Sequence, residues 1–144
     1  MKISDIMTPS TALVTPEDNI KDACEKMSIE DVGFLPVCDG EKIRGVITDR
    51  DVAIRGVAKN YNPNDCKVRD IMSPDVIYVF EDQDSEEALR LMEEQQIRRL
   101  VVLSRNKKLV GVLSLGDVST RFRDQKRVGK TLEGISMPGG QHAV

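Results

Sequence analysis

The chain of 144 residues and 16.1 kDa has room for one ordinary domain or two very small ones. Its 40% apolar and 31% charged residues are a folded rather than a disordered composition, and a net charge of −3 argues against a general nucleic-acid coat. No apolar run approaches the roughly 18 residues of a membrane span, and Met1-Lys2-Ile3-Ser4-Asp5 lacks the apolar stretch of a signal peptide, so a cytoplasmic protein is expected.

In chain order, Ala12-Leu13-Val14 reads as a short strand. Thr15-Pro16-Glu17-Asp18 reads as a helix start, with a Thr cap and an acidic residue three positions on. Ile20, Ala23, Cys24 and Met27 follow at the spacing of an amphipathic helix. Strands are expected at 34–38 and 43–48 around an Asp39-Gly40 turn, and a second helix from Asp49, with Val52, Ala53 and Ile54 apolar. The grammar then repeats. Ile77-Tyr78-Val79 is a strand, Ala88, Leu89 and Met92 mark a helix, strands fall at 100–103 and 109–113, and Gly116 or Asp117 opens a last helix.

The repetition extends to the residues themselves. Lys2 to Pro9 (KISDIMTP) recurs as Lys67 to Pro74 (KVRDIMSP), and Val14/Val79, Ala23/Ala88, Met27/Met92, Leu35/Leu100 and Val37/Val102 hold the same register. One inserted residue later, Gly45-Val46-Ile47-Thr48-Asp49-Arg50-Asp51-Val52 matches Gly111-Val112-Leu113-Ser114-Leu115-Gly116-Asp117-Val118. The chain is two copies of a β-α-β-β-α unit, expected at 1–57 and 67–122, with a linker at 58–66. Residues 123–144 are expected to be a helix end and a loosely ordered tail. A unit below about 60 residues is marginal alone, so the two are expected to pack sheet against sheet as one pseudo-twofold α/β module with clefts between them.

The doubled Asp-Ile-Met-Thr/Ser-Pro opening, the Leu-Pro-Val strand and the doubled Gly-x-x-Thr/Ser-x-x-Asp motif resemble a tandem pair of cystathionine-β-synthase (CBS) domains, a Bateman module, over residues 1–120. The resemblance is to stand-alone prokaryotic proteins of this kind. It implies a regulatory module, not an enzyme, that binds adenosine nucleotides (AMP, ADP or ATP) in clefts between the units. The resemblance further implies no prosthetic group and signalling in trans to a protein effector, with magnesium left open. A carboxylate accepts hydrogen bonds from both ribose hydroxyls, so Asp51 and Asp117 are the ribose candidates. Thr48 and Ser114 precede helix starts, where a hydroxyl and free N–H groups hold phosphate; the same residues also serve as helix caps without any ligand. By the resemblance, adenine lies against Thr8, Ala12, Val32, Gly33, Phe34 and Pro36 in the first unit, and against Ser73, Ile77, Ile97, Arg98 and Val101 in the second. By the same resemblance Arg98 and Arg99 face the phosphate of the Asp51 site, with Arg50 as a further cation, which predicts tighter binding there than at Asp117. CBS pairs associate as dimers, so a homodimer is expected through helices 18–29 and 84–96 or 49–57 and 117–127.

Other chemistry has little support. Three cysteines (Cys24, Cys38, Cys66) with no CxxC spacing, and a lone His142, argue against a zinc site or a Cys-His pair; the thiols read as core. No Walker loop, GxGxxG or HExxH occurs. The acidic run 81–87 reads as a favourable helix start. Residues 121–130 hold five basic residues against one acidic and read as a continuation of the last helix. Two alternatives stay open: a dimerisation scaffold with vestigial sites, and a nucleic-acid-binding regulator that uses 121–130.

Overall fold

A computed structural model of the chain describes residues 1–9, 12–121 and 124–138. The elements are α1 (Ile3–Ile6), β1 (Thr8–Pro9), α2 (Ile20–Glu30), β2 (Phe34–Asp39), β3 (Lys42–Thr48), α3 (Asp49–Asp51), α4 (Val68–Ile71), β4 (Tyr78–Phe80), α5 (Ser85–Gln95), β5 (Arg99–Leu103), β6 (Leu109–Ser114), α6 (Leu115–Arg121) and α7 (Gln125–Ile135). Helix α3 runs on as a π-helical turn over Val52–Gly56 and a 3-10 turn over Val57–Lys59.

The described residues fall into two compact units, one of 12–76 and one of 1–9 with 77–138, here the N-unit and the C-unit. This grouping differs from the expected 1–57 and 67–122. Each Asp-Ile-Met-Thr/Ser-Pro segment packs in the unit built by the other repeat. Ile3 and Ile6 of α1 are buried in the C-unit core, Val68 and Ile71 of α4 in the N-unit core. Residues 58–66 are also part of the N-unit: Cys66 is buried, and its carbonyl accepts the Ile20 N–H.

The exchange explains the glycine of the repeated motif. In the N-unit, Val46 on β3 pairs with Ser73 through two backbone hydrogen bonds of 2.8 and 2.9 Å. In the C-unit, Val112 on β6 pairs with Thr8 on β1. A Cβ at Gly45 would lie 2.6 Å from the Ser73 carbonyl oxygen, and one at Gly111 2.7 Å from that of Thr8. The obstacle is backbone rather than a flexible side-chain end, so a Cβ at either position forces the two paired segments apart.

Both sheets follow the same plan. In the C-unit the order is β1-β6-β5-β4, with β4 parallel to β5 and β5 antiparallel to β6. In the N-unit β2 and β3 form the antiparallel pair, flanked by single bridges from Val14 to Val37 and from Ser73 to Val46. Val14↔Val37 corresponds to Val79↔Val102, so the expected 12–14 strand survives as a single bridge. The irregularity at Val37/Cys38 recurs at Val102/Leu103, and the left-handed helix ends at Asp31 and Gln96 also correspond.

Helix α2 buries Ile20, Ala23 and Met27, while Cys24 is half-buried. Its cap is Asn19, whose side chain accepts the Asp22 N–H, rather than Thr15. Thr15 instead begins a turn, its N–H donating to Asp18 Oδ2 at 2.9 Å. Partial burial and the Asp49 charge push the Cys24 thiol up in pKa; burial does the same to Cys38. Neither is poised as a thiolate at neutral pH.

The segment expected to continue the last helix does not. α6 ends at Arg121, and a separate helix, α7, starts from Asp124, whose side chain accepts the Arg127 N–H. Val128 and Thr131 are buried against α5. Arg127, 15% exposed, bridges Glu86 (2.6 Å) and Glu93, and the Thr131 hydroxyl donates to Glu93 at 2.9 Å. Gln96 donates to the carbonyls of Gly134 and Met137. Residues 125–137 are thus built into the C-unit rather than forming a loose tail. They also occupy α5, one of the surfaces expected to form a dimer. His142 lies outside the described residues.

Candidate functional site

The Thr48/Asp51 and Ser114/Asp117 pairs each close a strand-to-helix turn. In the N-unit the Thr48 hydroxyl accepts the Asp51 N–H (3.1 Å), and Asp51 Oδ2 accepts the Thr48 N–H (3.0 Å). In the C-unit the Ser114 hydroxyl accepts the Asp117 N–H and Asp117 Oδ2 the Ser114 N–H, both at 3.0 Å. This reciprocal cap satisfies two otherwise orphaned donors and locks the carboxylate by one oxygen. The spacing in the motif is therefore the spacing of a helix cap, as the sequence allowed. The cap leaves the second oxygen, Oδ1, to other partners.

The surroundings of Oδ1 differ. In the N-unit it faces Arg55 Nη1 at 3.8 Å, and Asp51 is only 5% exposed. In the C-unit it accepts the Thr8 hydroxyl at 3.3 Å, and Asp117 is half-buried. The exchange of opening segments thus moves two expected site residues. Thr8 belongs with Asp117, and Ser73 sits in the N-unit within 3.5 Å of Arg55 Nη1. The sequence-based grouping paired them the other way because each opening segment directly precedes its own repeat.

The remaining expected residues fall around these turns. Phe34 is buried opposite Thr48, and Pro36 opposite Val46. Gly33 accepts the Asp49 N–H, and a Cβ there would meet the Asp49 carboxylate at 2.6 Å. Val32 and Arg50 are exposed and Ala12 is half-buried. In the C-unit, Arg99 lies opposite Ser114, the Arg98 carbonyl accepts the Leu115 N–H, and the Ile77 carbonyl accepts that of Val101. Ile97 and Val101 are core; Arg98 is exposed.

A model of the CBS domain matches residues 3–56 and 68–124. The chain belongs to the CBS-domain family. This CBS chain is 41% identical over 137 residues to Uncharacterized protein YlbB of Bacillus subtilis (strain 168), covering 94% of this chain and 91% of that protein. Its fold is similar to that of a putative signal-transduction protein with CBS domains from Burkholderia ambifaria MC40-6 (33% identity, TM-score 0.76, 87% of this chain and 96% of that one). It is also similar to CBSX2 in complex with AMP (31% identity, TM-score 0.69, 81% and 92%). The chain is a two-repeat CBS module of the signalling and regulatory kind.

Sequence reasoning missed Arg55 and Arg121. They match in the register that aligns Gly45 with Gly111, and each reaches the exchanged segment of its own unit. Arg55 Nη1 donates to the carbonyls of Ile71 (3.2 Å) and Met72 (3.4 Å); Arg121 Nη1 donates to those of Ile6 (3.1 Å) and Met7 (3.0 Å). Arg121 and Arg127 thereby spend two of the five cations of 121–130 inside the C-unit, while Arg123 lies outside the described residues. Among the described residues no group of three or more His, Cys, Asp or Glu side chains could hold a metal ion, the acidic run 81–87 included, and no helix is long and apolar enough to cross a membrane.

Proposed function

We propose that this CBS chain is a regulatory adenine-nucleotide sensor rather than an enzyme. Asp51 and Asp117 take the ribose hydroxyls, Thr48 and Ser114 lie toward the phosphate, and Arg50, Arg98 and Arg99 supply cations for it. The small and apolar positions Ala12, Val32, Gly33, Phe34 and Pro36, with Ile77, Ile97 and Val101, receive the base. The observation that carries this reading is the cap built twice, which fixes a carboxylate by one oxygen and presents the other beside a hydroxyl or a guanidinium of the exchanged segment's clasp. A fixed acceptor loses little freedom on meeting a diol, and preorganisation of that kind favours binding. The 31% identical CBSX2, solved with AMP, supports the ligand class.

Asp51 is the stronger site. It is already withdrawn from water and its charge is balanced by Arg55, so ligand binding removes less solvation than at half-open Asp117. The module acts as a homodimer, through exposed apolar positions such as Ile29 (81% exposed), Ile54 and Val57, and passes its state to a protein effector in trans.

Calorimetric titration with AMP, ADP, ATP and GTP, each with and without magnesium, tests this. Saturable binding of adenosine ligands without GTP is expected. An intact dimer that binds none of them would refute the sensor and leave a scaffold.

A further inference from the structure

We propose that Arg55 is the positioning residue of the N-unit site: it joins the Asp51 carboxylate to the exchanged 71–73 segment, so that a ligand held by Asp51 orders that segment. This rests on the nucleotide reading above. α4 is a single turn, too short to hold itself, and its last carbonyls have no partner within the helix. Arg55 supplies the partner. Its Nη1 lies 3.2 Å from the Ile71 carbonyl, 3.4 Å from that of Met72, 3.5 Å from Ser73 Oγ and 3.8 Å from Asp51 Oδ1. One guanidinium thus touches both the site carboxylate and the segment that leads on to β4. The four acceptors surround this one nitrogen and share its two hydrogens, and arginine carries it one bond further from the backbone than lysine carries its ammonium.

The C-unit offers an internal comparison. Arg121 donates to the corresponding carbonyls, but there Thr8, not the arginine, meets the carboxylate. The exchanged segment is tied to Asp117 by its own hydroxyl and to Asp51 through Arg55. Removing the arginine should therefore uncouple the N-unit site alone.

The experiment uses the full chain with Asp117→Ala, so that only the N-unit site remains, and AMP as the probe. Amide exchange at Met72 and Ser73 and calorimetric affinity are read with and without Arg55→Ala. In the parent, AMP slows exchange at 72–73. In Arg55→Ala the affinity falls about five-fold, the upper end for a half-exposed ion pair, and the AMP-dependent protection is lost. Arg55→Lys restores charge near Asp51 but ends one bond short of the Nη1 position and does not reach the two carbonyls, so affinity recovers in part while the protection stays lost; it carries the test should Arg55→Ala fail to fold. Arg121→Ala leaves the AMP response at 72–73 intact. Unchanged AMP-dependent protection at 72–73 in both Arg55 variants would overturn the proposal and leave the sensor standing. No AMP binding by the parent and by wild type would overturn both.

Discussion

Gly45→Ala probes the exchanged segment at its tightest point. Gly45 has an ordinary extended backbone, so conformational freedom is not the issue; space is. The added methyl meets the Ser73 carbonyl oxygen at 2.6 Å, against 3.4 Å for ordinary contact, so one backbone must retreat by about 0.8 Å. The same two strands are joined by Val46–Ser73 hydrogen bonds of 2.8 and 2.9 Å, which a retreat of that size breaks or stretches beyond use. Two backbone hydrogen bonds are worth about 1 kcal/mol each, net. Reduced freedom of the unfolded chain returns about 0.5–1 kcal/mol. The expected destabilisation is about 1–1.5 kcal/mol, or very roughly 3–5 °C in the midpoint. Urea and thermal unfolding measure it, and amide exchange at Ser73 localises it. A variant as stable as wild type, with Ser73 exchanging at the wild-type rate, would refute the close-approach account. Gly111→Ala should behave alike, with its signature at Thr8.

Other expectations concern α7. Gly129 lies in the middle of this helix with nothing within 4 Å of an added Cβ, so Gly129→Ala should raise stability by about 0.5–1 kcal/mol in urea unfolding. A Cβ at Gly134 would instead meet Glu93 Cγ at 3.3 Å, and Gly134→Ala should gain less or lose stability in the same assay. Partial burial pushes Glu93 up in pKa, but hydrogen bonds from Arg127 and Thr131 and the Arg127 charge outweigh it and hold the carboxyl below the usual glutamate value of 4.5. A depressed folded-state value contributes stability above the unfolded value and loses it as pH falls through the folded one. Thermal unfolding across acid pH should therefore show a flatter profile in Glu93→Gln than in wild type; identical slopes would contradict the ion-pair account of α7.

Much of this architecture was legible because the period of each element was written twice. The stripe Ala88, Leu89, Met92 and the strand expected at 109–113 survive in the structure as α5 and β6. The exchange of segments was not legible, because both repeats carry Asp-Ile-Met-Thr/Ser-Pro and either copy satisfies either Gly groove. Pattern alone is degenerate there, and only the path of the chain decides. Thr15 and Asn19 are both good cap residues, and the one followed by the Ile20–Met27 stripe prevails. α7 was hidden by Gly129, Gly134 and its basic residues, although Val128, Thr131 and Ile135 keep helical spacing. At the site, the residue types and spacing of the turns were readable. Which hydroxyl meets which carboxylate, and the part of Arg55 and Arg121, depended on the exchange.

The most direct test of the sensor account is thermal unfolding of wild type, Asp51→Ala and Asp117→Ala against AMP. Ligand at 100 times its dissociation constant adds about 2.7 kcal/mol to the folded state, a rise of very roughly 5–10 °C for a chain of this size. That rise is expected in wild type, most of it lost in Asp51→Ala and a smaller part in Asp117→Ala. A midpoint unmoved by AMP in wild type, or an equal rise in all three proteins, would contradict it.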